Sequence, residues 1–237
     1  MSPKFVLERY ELTDREQRRL IRVVWQRGMS VSCTLYRINR MTPLYTLLPL
    51  TCNLLGEELV PLGELFWVTF RDSDLQFKPE IDRFARFLRD RMDSGLIQDP
   101  YLREVLDFEQ ALNALSFAAF QGVSDGAVEL PEENGHGLFL HPQVRVVAFR
   151  HDPLATLDAL SRRSKPSEPI EGEFFLLIDG RTERLEIVPA DARFGRILLE
   201  AAASKAGISI SETSAVLLEL GLLVGPQLAS VNEGGLS

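Results

Sequence analysis

The histidines are the first residues to consider for metal chemistry. His136 and His141 are separated by four residues, and Asp152 follows His151 directly. Imidazole and carboxylate groups are common zinc ligands, so a stand-alone metalloenzyme using the three histidines is one hypothesis. The spacing of His136 and His141 does not place two rings on one helix face, and the segment is rich in glycine. We therefore interpret these histidines as surface residues and predict no metal site in this chain.

The two cysteines offer little for nucleophilic or redox chemistry. Cys33 and Cys52 lie in apolar segments without a C-x-x-C pattern, which favours inert buried thiols and a reducing cytoplasm. Serine-hydrolase, zinc-protease, P-loop and dinucleotide motifs are absent from the sequence. The 34 acidic residues are explained by solubility, so we predict that the chain is not an enzyme on its own.

Composition narrows the class of protein further. The 237 residues are 45% apolar and 25% charged, in the ordinary range for globular proteins. The net charge of -8 would repel nucleic acid and anionic lipid. Neither a signal sequence nor a run of about 20 apolar residues is present. We expect a cytoplasmic protein with no membrane contact.

Capping residues and apolar spacing predict an all-α domain over residues 1–123. Thr13 and Glu16 form a capping-box pattern that begins a helix, and we expect Gly28 to end it. The next apolar stripe leads to Pro43, which favours a helix start or a kink. Further helices are expected to begin near Pro79 and after Asp99.

The pattern of residues in the second half of the sequence predicts a small domain of strands and helices. We expect a linker over residues 124–142, a winged-helix-like domain over 143–225 and a flexible tail over 226–237. Asp179-Gly180 predicts an antiparallel hairpin with positive φ at the turn, preceded by a mobile loop between Ser161 and Glu173. Asp191, and Ser211 or Ser209, are expected to cap two final helices. The predicted fold class is therefore α+β.

The basic residues near the N-terminus allow two functional interpretations. Between residues 13 and 40, seven arginines stand against two acidic residues, an excess of five positive charges. Such a face could contact DNA phosphates beside a winged-helix recognition helix, or an acidic protein, or only solvent. The presumed recognition helix, Ser211 to Leu220, carries Glu212 and Glu219 and no basic residue. We therefore expect no nucleic-acid binding, and a DNA-binding transcriptional regulator remains the alternative.

An apolar last helix beside an edge strand can bind an extended peptide instead. The peptide adds a strand through main-chain hydrogen bonds, and the groove between helix and strand accepts its side chains. The candidate edge runs from Thr182 to Val188, and the candidate groove wall runs from Glu212 to Leu220. An edge covered by the linker or the tail is the alternative. The predicted peptide-binding residues are Thr182, Arg184, Leu185, Glu186, Ile187, Val188, Val216, Glu219 and Leu220.

Several motifs in the first half form an ordered set between about residues 30 and 115. They are Leu35-Tyr36-Arg37-Ile38-Asn39-Arg40, Leu54-Leu55-Gly56-Glu57-Glu58-Leu59, Phe84-Ala85-Arg86-Phe87-Leu88 and Pro100-Tyr101-Leu102-Arg103-Glu104. This set resembles the helical domain, long described as DNA-binding, of the partner proteins of multinuclear non-haem iron oxidative enzymes. Ile178-Asp179-Gly180 and the run from Leu217 to Val224 resemble the PqqD-like recognition element of ribosomal-peptide pathways.

The resemblance implies a partner subunit in ribosomal-peptide natural-product biosynthesis. Such a subunit binds the leader of a precursor peptide, while a multinuclear non-haem iron enzyme carries the metals and the chemistry. The implied reaction is excision of the β-carbon of a C-terminal cysteine, as in 3-thiaglutamate biosynthesis. The expected contacts with the iron enzyme are Tyr36, Arg37, Asn39 and Arg40, and no cofactor is expected in this chain.

Overall fold

The computed structural model has helices in its first half and antiparallel strands with helices in its second. It describes residues 12–24, 26–70, 77–120, 137–166, 168, 170–182 and 184–225. The helices of the first half are α1 (Asp14–Val24), α2 (Arg27–Leu47), α3 (Pro49–Leu55), a 3₁₀ turn (Gly56–Glu58), α4 (Leu59–Thr69), α5 (Phe77–Asp93) and α6 (Leu102–Phe120). The later elements are β1 (Phe139–Leu140), β2 (Val144–His151), α7 (Pro153–Ser161), β3 (Glu171–Asp179), β4 (Glu186–Ala190), α8 (Ala192–Ala203), α9 (Glu212–Glu219) and β5 (Leu223–Val224).

Local capping signals account for the starts of α1, α6, α8 and α9. The amide of Thr13 donates to Glu16, the amides of Tyr101 and Leu102 donate to Asp99, and Asp191 accepts from the Arg193 amide. Ser211 forms a capping box with Ser214 at the start of α9. These caps were predicted and are confirmed.

Two predictions about the first helices are wrong. The first helix is already interrupted before Gln26, whose backbone is extended, and Gly28 lies inside α2 rather than ending α1. Pro43 lies in the interior of α2, so the helix start that was one of two expectations there is wrong. Its missing N–H removes one helical hydrogen bond, but the helix continues because Leu44 and Leu48 beyond it are fully buried.

Helix α6 packs against both halves of the structure. Leu102 and Leu106 are fully buried in the helical core, where the ring of Phe66 lies 5.2 Å from that of Phe84. Further along α6, Phe108 and Leu115 pack with residues of β2 and β3. One helix therefore fixes the sheet against the helical half.

The main sheet has the strand order β2-β3-β4, with antiparallel pairs. The hairpin between β3 and β4 was predicted, but its turn was not. Asp179 pairs with Glu186, so six residues separate the paired strands, and Gly180 does not adopt a positive φ. The positive φ expected at the Asp179-Gly180 turn is therefore wrong.

Three elements were not predicted. Helix α7 begins after Asp152, which accepts a hydrogen bond from the Leu154 amide, and ends at the start of the expected mobile loop. Strand β1 lies within the expected linker and pairs with β5, which follows α9. Residues 124–136 of the expected linker and the tail from residue 226 lie outside the described residues.

Candidate functional site

Strand β4 forms one edge of the main sheet, as predicted for a peptide-binding strand. It pairs with β3 along Glu186 to Ala190, and in the described residues no other strand pairs with it. Leu185, Ile187 and Val188 are 37%, 45% and 42% exposed. An edge with exposed apolar side chains can extend its sheet with another chain.

The side chains of β4 alternate between two faces of the sheet. Val188 pairs with Leu177, which packs with Leu198 of α8, whereas Ile187 pairs with Ile178, which packs against α6. Directly paired residues share a face, so Val188 and Glu186 lie on the face that α8 covers. An added strand would meet Val188 on one face and Ile187 on the other.

Pro189 shows which backbone groups of β4 are available. Proline has no N–H to donate, so in a paired strand it occupies a position that directs its backbone away from the partner strand. Backbone orientation repeats every two residues, and therefore the N–H and C=O of Ile187 also point away from β3. Between Ile187 and Pro189 the edge offers two outward carbonyls and one outward amide, that of Ile187.

Arg181 ties the loop before β4 to the end of α9. Its Nη1 donates to the Leu220 carbonyl at 2.7 Å, and its Nε donates to Asp179 Oδ1 at 2.9 Å. The hydrogen bond from Arg181 holds the pKa of Asp179 below its usual value, so the carboxylate stays ionised. The predicted edge and the predicted groove wall are therefore connected at this end. The tie itself was not predicted.

Helix α9 presents one buried and one exposed side. Leu217 is fully buried in the same core cluster as Leu177, whereas Val216 and Leu220 are 41% and 56% exposed and Glu219 is also exposed. Thr182 and Arg184, predicted to contact the peptide, are exposed in the loop, where the Thr182 hydroxyl donates to the Arg184 carbonyl at 2.7 Å. All nine predicted peptide-binding residues are thus exposed.

The residues expected to contact a partner enzyme differ in accessibility. Tyr36 is 48% exposed and Asn39 is exposed on α2, while the side chain of Arg37 lies outside the described residues. Arg40 is only 2% exposed, and its Nε donates to Glu80 Oε1 at 2.8 Å. Arg40 is therefore a buried residue that holds α2 against α5, and its assignment to the partner surface is wrong.

The buried surroundings of Arg40 explain why it cannot serve a surface. Its guanidinium carbon lies 5.5 Å from the ring centroids of both Phe66 and Trp67, and Nη2 donates to the Phe70 carbonyl at 3.3 Å. Aromatic faces and a carboxylate together compensate a buried cation. The sequence could not show this, because Glu80 is 40 residues away.

The histidines of the metal hypothesis occupy different environments. His151 is buried, with Nδ1 3.2 Å from both carboxylate oxygens of Glu104, so its interpretation as a surface residue is wrong. His141 is half-buried in the turn before β2. His136 lies outside the described residues. Where the structure describes the chain, His, Cys, Asp and Glu form no group of three or more suited to a metal ion.

Cys52 is buried in the helical core, as predicted. Burial raises the pKa of its thiol to about 12, and the nearby Glu109 charge adds to the rise. The thiol is therefore protonated at neutral pH, which makes it a poor nucleophile. The side chain of Cys33 lies outside the described residues.

A cleft of about 1400 Å³ lies where the start of α6 meets β2, β3 and α8. Glu104 lines it and also accepts a hydrogen bond from the Arg150 amide at 3.0 Å. The Glu173–Arg196 ion pair forms part of its wall. The sequence did not predict this cleft, because its walls come from segments that are far apart in the sequence.

The alternative of DNA binding involves two surfaces, the arginines near the N-terminus and helix α9, and these surfaces carry opposite charges. Arg15, Arg18, Arg19 and Arg22 of α1 are exposed. Helix α9 exposes Glu212 and Glu219 and has no basic residue. A recognition helix with this charge would be repelled by the phosphates that line a groove.

Comparisons with known proteins assign neither a family nor a function to this chain. No known family model matches the chain, and no curated protein sequence matches it. None of the helices in the described ranges has the length and apolarity needed to cross a bilayer.

Proposed function

We propose that this chain is a non-catalytic partner subunit that binds the leader of a ribosomally made precursor peptide. It presents the peptide to a multinuclear non-haem iron enzyme, which carries the metal ions. The combination of segments resembles TglI, the partner subunit of the TglHI complex in 3-thiaglutamate biosynthesis, and we propose the same role for this chain. The reaction proposed for the complex is excision of the β-carbon of a C-terminal cysteine of the precursor.

The exposed edge of β4 carries the proposal. It combines an outward amide and carbonyl at Ile187 with exposed apolar side chains at Leu185 and Val188. Main-chain hydrogen bonds to these groups bind an extended peptide without regard to its sequence, and the exposed side of α9 supplies contacts for its side chains. In this proposal the second half has a winged-helix-like arrangement that serves peptide binding.

The helical half supplies the contact with the iron enzyme. Tyr36 and Asn39 are exposed on α2, and α1 presents arginines to solvent. Such a surface fits an enzyme face with apolar and acidic residues. We place this interaction in the cytoplasm, where the precursor peptide is made.

The Ile187→Pro variant tests the peptide site by calorimetric titration with a synthetic precursor leader. The substitution removes the only outward amide between Ile187 and Pro189, and we expect at least about tenfold weaker binding. Ile187→Ala is the matched control, because it shortens the side chain and keeps the amide. Equal affinity of the Ile187→Pro variant and the wild type would exclude the β4 edge as the site.

A DNA-binding regulator is the second candidate, favoured only by the exposed arginines of α1. Gel-shift titration with duplex DNA at low and moderate salt separates the two functions. Binding that weakens steeply with salt would support the regulator. We expect no shift at either salt concentration.

A further inference from the structure

Strand β2 forms the second edge of the main sheet. Among the described strands it pairs with β3 alone. Helix α6 packs against one of its faces at Phe149, and α8 packs against the other at Val144. Ala148 between them is exposed. The edge is therefore open to solvent at Ala148 although both faces of the strand are covered nearby.

The register of the sheet shows which main-chain groups of β2 point away from β3. Pro189 directs its backbone away from β3, so its partner residue Leu176 forms its main-chain hydrogen bonds with β2, where it pairs with Val147. Backbone direction alternates along a strand. The amides and carbonyls of Val146 and Ala148 therefore point outward, away from the sheet.

Glu104 closes this open edge at one end. It accepts a hydrogen bond from the Arg150 amide at 3.0 Å, and that amide is the next outward one after that of Ala148. The amide and carbonyl of Ala148 have no hydrogen-bond partner in the part of the chain that the structure describes. An added strand can therefore pair with β2 as far as Ala148 and must end where Glu104 begins.

The cleft beside the β2 edge has room for such a strand. Its volume is about 1400 Å³, and Ala148 lies in its wall with the start of α6 and one side of α8. Pockets for small molecules measure about 300 to 1000 Å³. The size of the cleft and the unpaired main chain in its wall therefore favour an extended peptide as the occupant.

The charges of the cleft indicate what kind of peptide fits. Its lining has three more acidic residues than arginines. Arg196 is neutralised by Glu173. Glu171 and Glu200 are exposed in the wall and form no ion pair within the described ranges. Arg150 alone among the cations of the lining lacks an ion pair there, so an excess of negative charge remains for a basic ligand.

We propose that the β2 edge binds an extended peptide segment that carries a lysine or arginine. The main chain of the segment pairs with Ala148, and its basic side chain compensates Glu171 and Glu200. The β2 and β4 edges lie on opposite sides of the sheet, so the inference does not depend on the leader site proposed at β4. A short strand with one basic side chain predicts a dissociation constant of about 10 to 100 μM.

Hydrogen exchange with a defined probe tests the site directly. The probe is a capped seven-residue peptide that alternates threonine and valine around one central lysine. At about 1 mM probe we expect exchange of the Ala148 amide in the wild type to slow at least about fivefold. An unprotected Ala148 amide, or protection confined to Ile187 of β4, would overturn the proposal.

The Ala148→Pro variant tests the main-chain contact by calorimetric titration with the same probe. Proline removes the outward amide and is tolerated on an edge strand, and we expect at least about tenfold weaker binding. Ala148→Ser is the matched control, because it keeps the amide. Ile187→Pro should bind the probe as the wild type does, which separates this site from the leader site. Equal affinity of Ala148→Pro and the wild type would exclude the β2 edge.

Charge substitution tests the basic side chain. A probe with glutamate in place of its lysine should bind at least about tenfold more weakly to the wild type. The Glu171→Gln/Glu200→Gln variant should bind the lysine probe at least about fivefold more weakly. Glu57→Gln/Glu58→Gln is the matched control, since it makes the same change of charge at exposed residues of the helical half. Equal binding of the lysine and glutamate probes would contradict the proposed ligand.

Discussion

Glu109 is a buried carboxyl group that makes folding stability depend on pH. It is 3% exposed on α6, and its two oxygens accept hydrogen bonds from the amides of Leu50 at 2.6 Å and Thr51 at 2.8 Å. Burial raises its pKa from 4.5 to about 7, while hydrogen bonds from Thr51 and Leu50 oppose the rise. Desolvation therefore outweighs the stabilising effect of the two amides on the charged form.

The sign and size of the effect follow from the two pKa values. Between pH 4.5 and pH 7 the folded chain keeps a proton on Glu109 that the unfolded chain has released. The contribution of Glu109 to the free energy of unfolding is therefore fully present below pH 4.5 and is lost as the pH rises through 7. A difference of about 2.5 pKa units corresponds to about 3 kcal/mol of unfolding free energy.

Urea unfolding of the wild type and the Glu109→Gln variant at several pH values measures this contribution. Other groups titrate in both proteins, so the relevant quantity is the difference between their unfolding free energies. We expect the wild type to lose about 3 kcal/mol relative to Glu109→Gln between pH 4.5 and pH 8. A difference that does not change with pH would show that the amides of Leu50 and Thr51 keep the carboxylate ionised, and would refute the reasoning.

Two further substitutions test other contacts. Arg40→Ala leaves Glu80 buried without its cation, so we expect a loss of about 3 to 5 kcal/mol in urea unfolding. A loss below about 1 kcal/mol would show that the Arg40–Glu80 ion pair contributes little to folding stability. Arg181→Ala removes the hydrogen bond to Leu220, and we expect about 1 kcal/mol lower stability and severalfold weaker leader binding by calorimetry. Unchanged leader binding in the Arg181→Ala variant would show that the loop before β4 does not contribute to the peptide site.

Features set by neighbouring residues could be predicted from the sequence. Asp99, Asp191 and Ser211 cap their helices by accepting hydrogen bonds from amides two or three residues later. The two strands of the hairpin pair where the apolar residues of the sequence predict them. Asp152 before Pro153 gives the same signal as Asp99 before Pro100, so α7 could have been predicted as well.

Features set by distant residues could not be predicted in this way. The burial of Arg40 depends on Glu80, and strand β1 depends on β5, which lies more than 80 residues later. The proposed peptide site could be predicted in part. Its exposed edge follows from the hairpin, whereas the tie from Arg181 to Leu220 required the folded chain.

Hydrogen exchange of the β4 amides, measured with and without a precursor leader peptide, tests the central proposal most directly. An added strand would hydrogen-bond the outward amide of Ile187, and we expect its exchange to slow at least about tenfold while α1 is unaffected. Binding that leaves Ile187 unprotected, or that protects α1 instead, would contradict peptide recognition by the β4 edge.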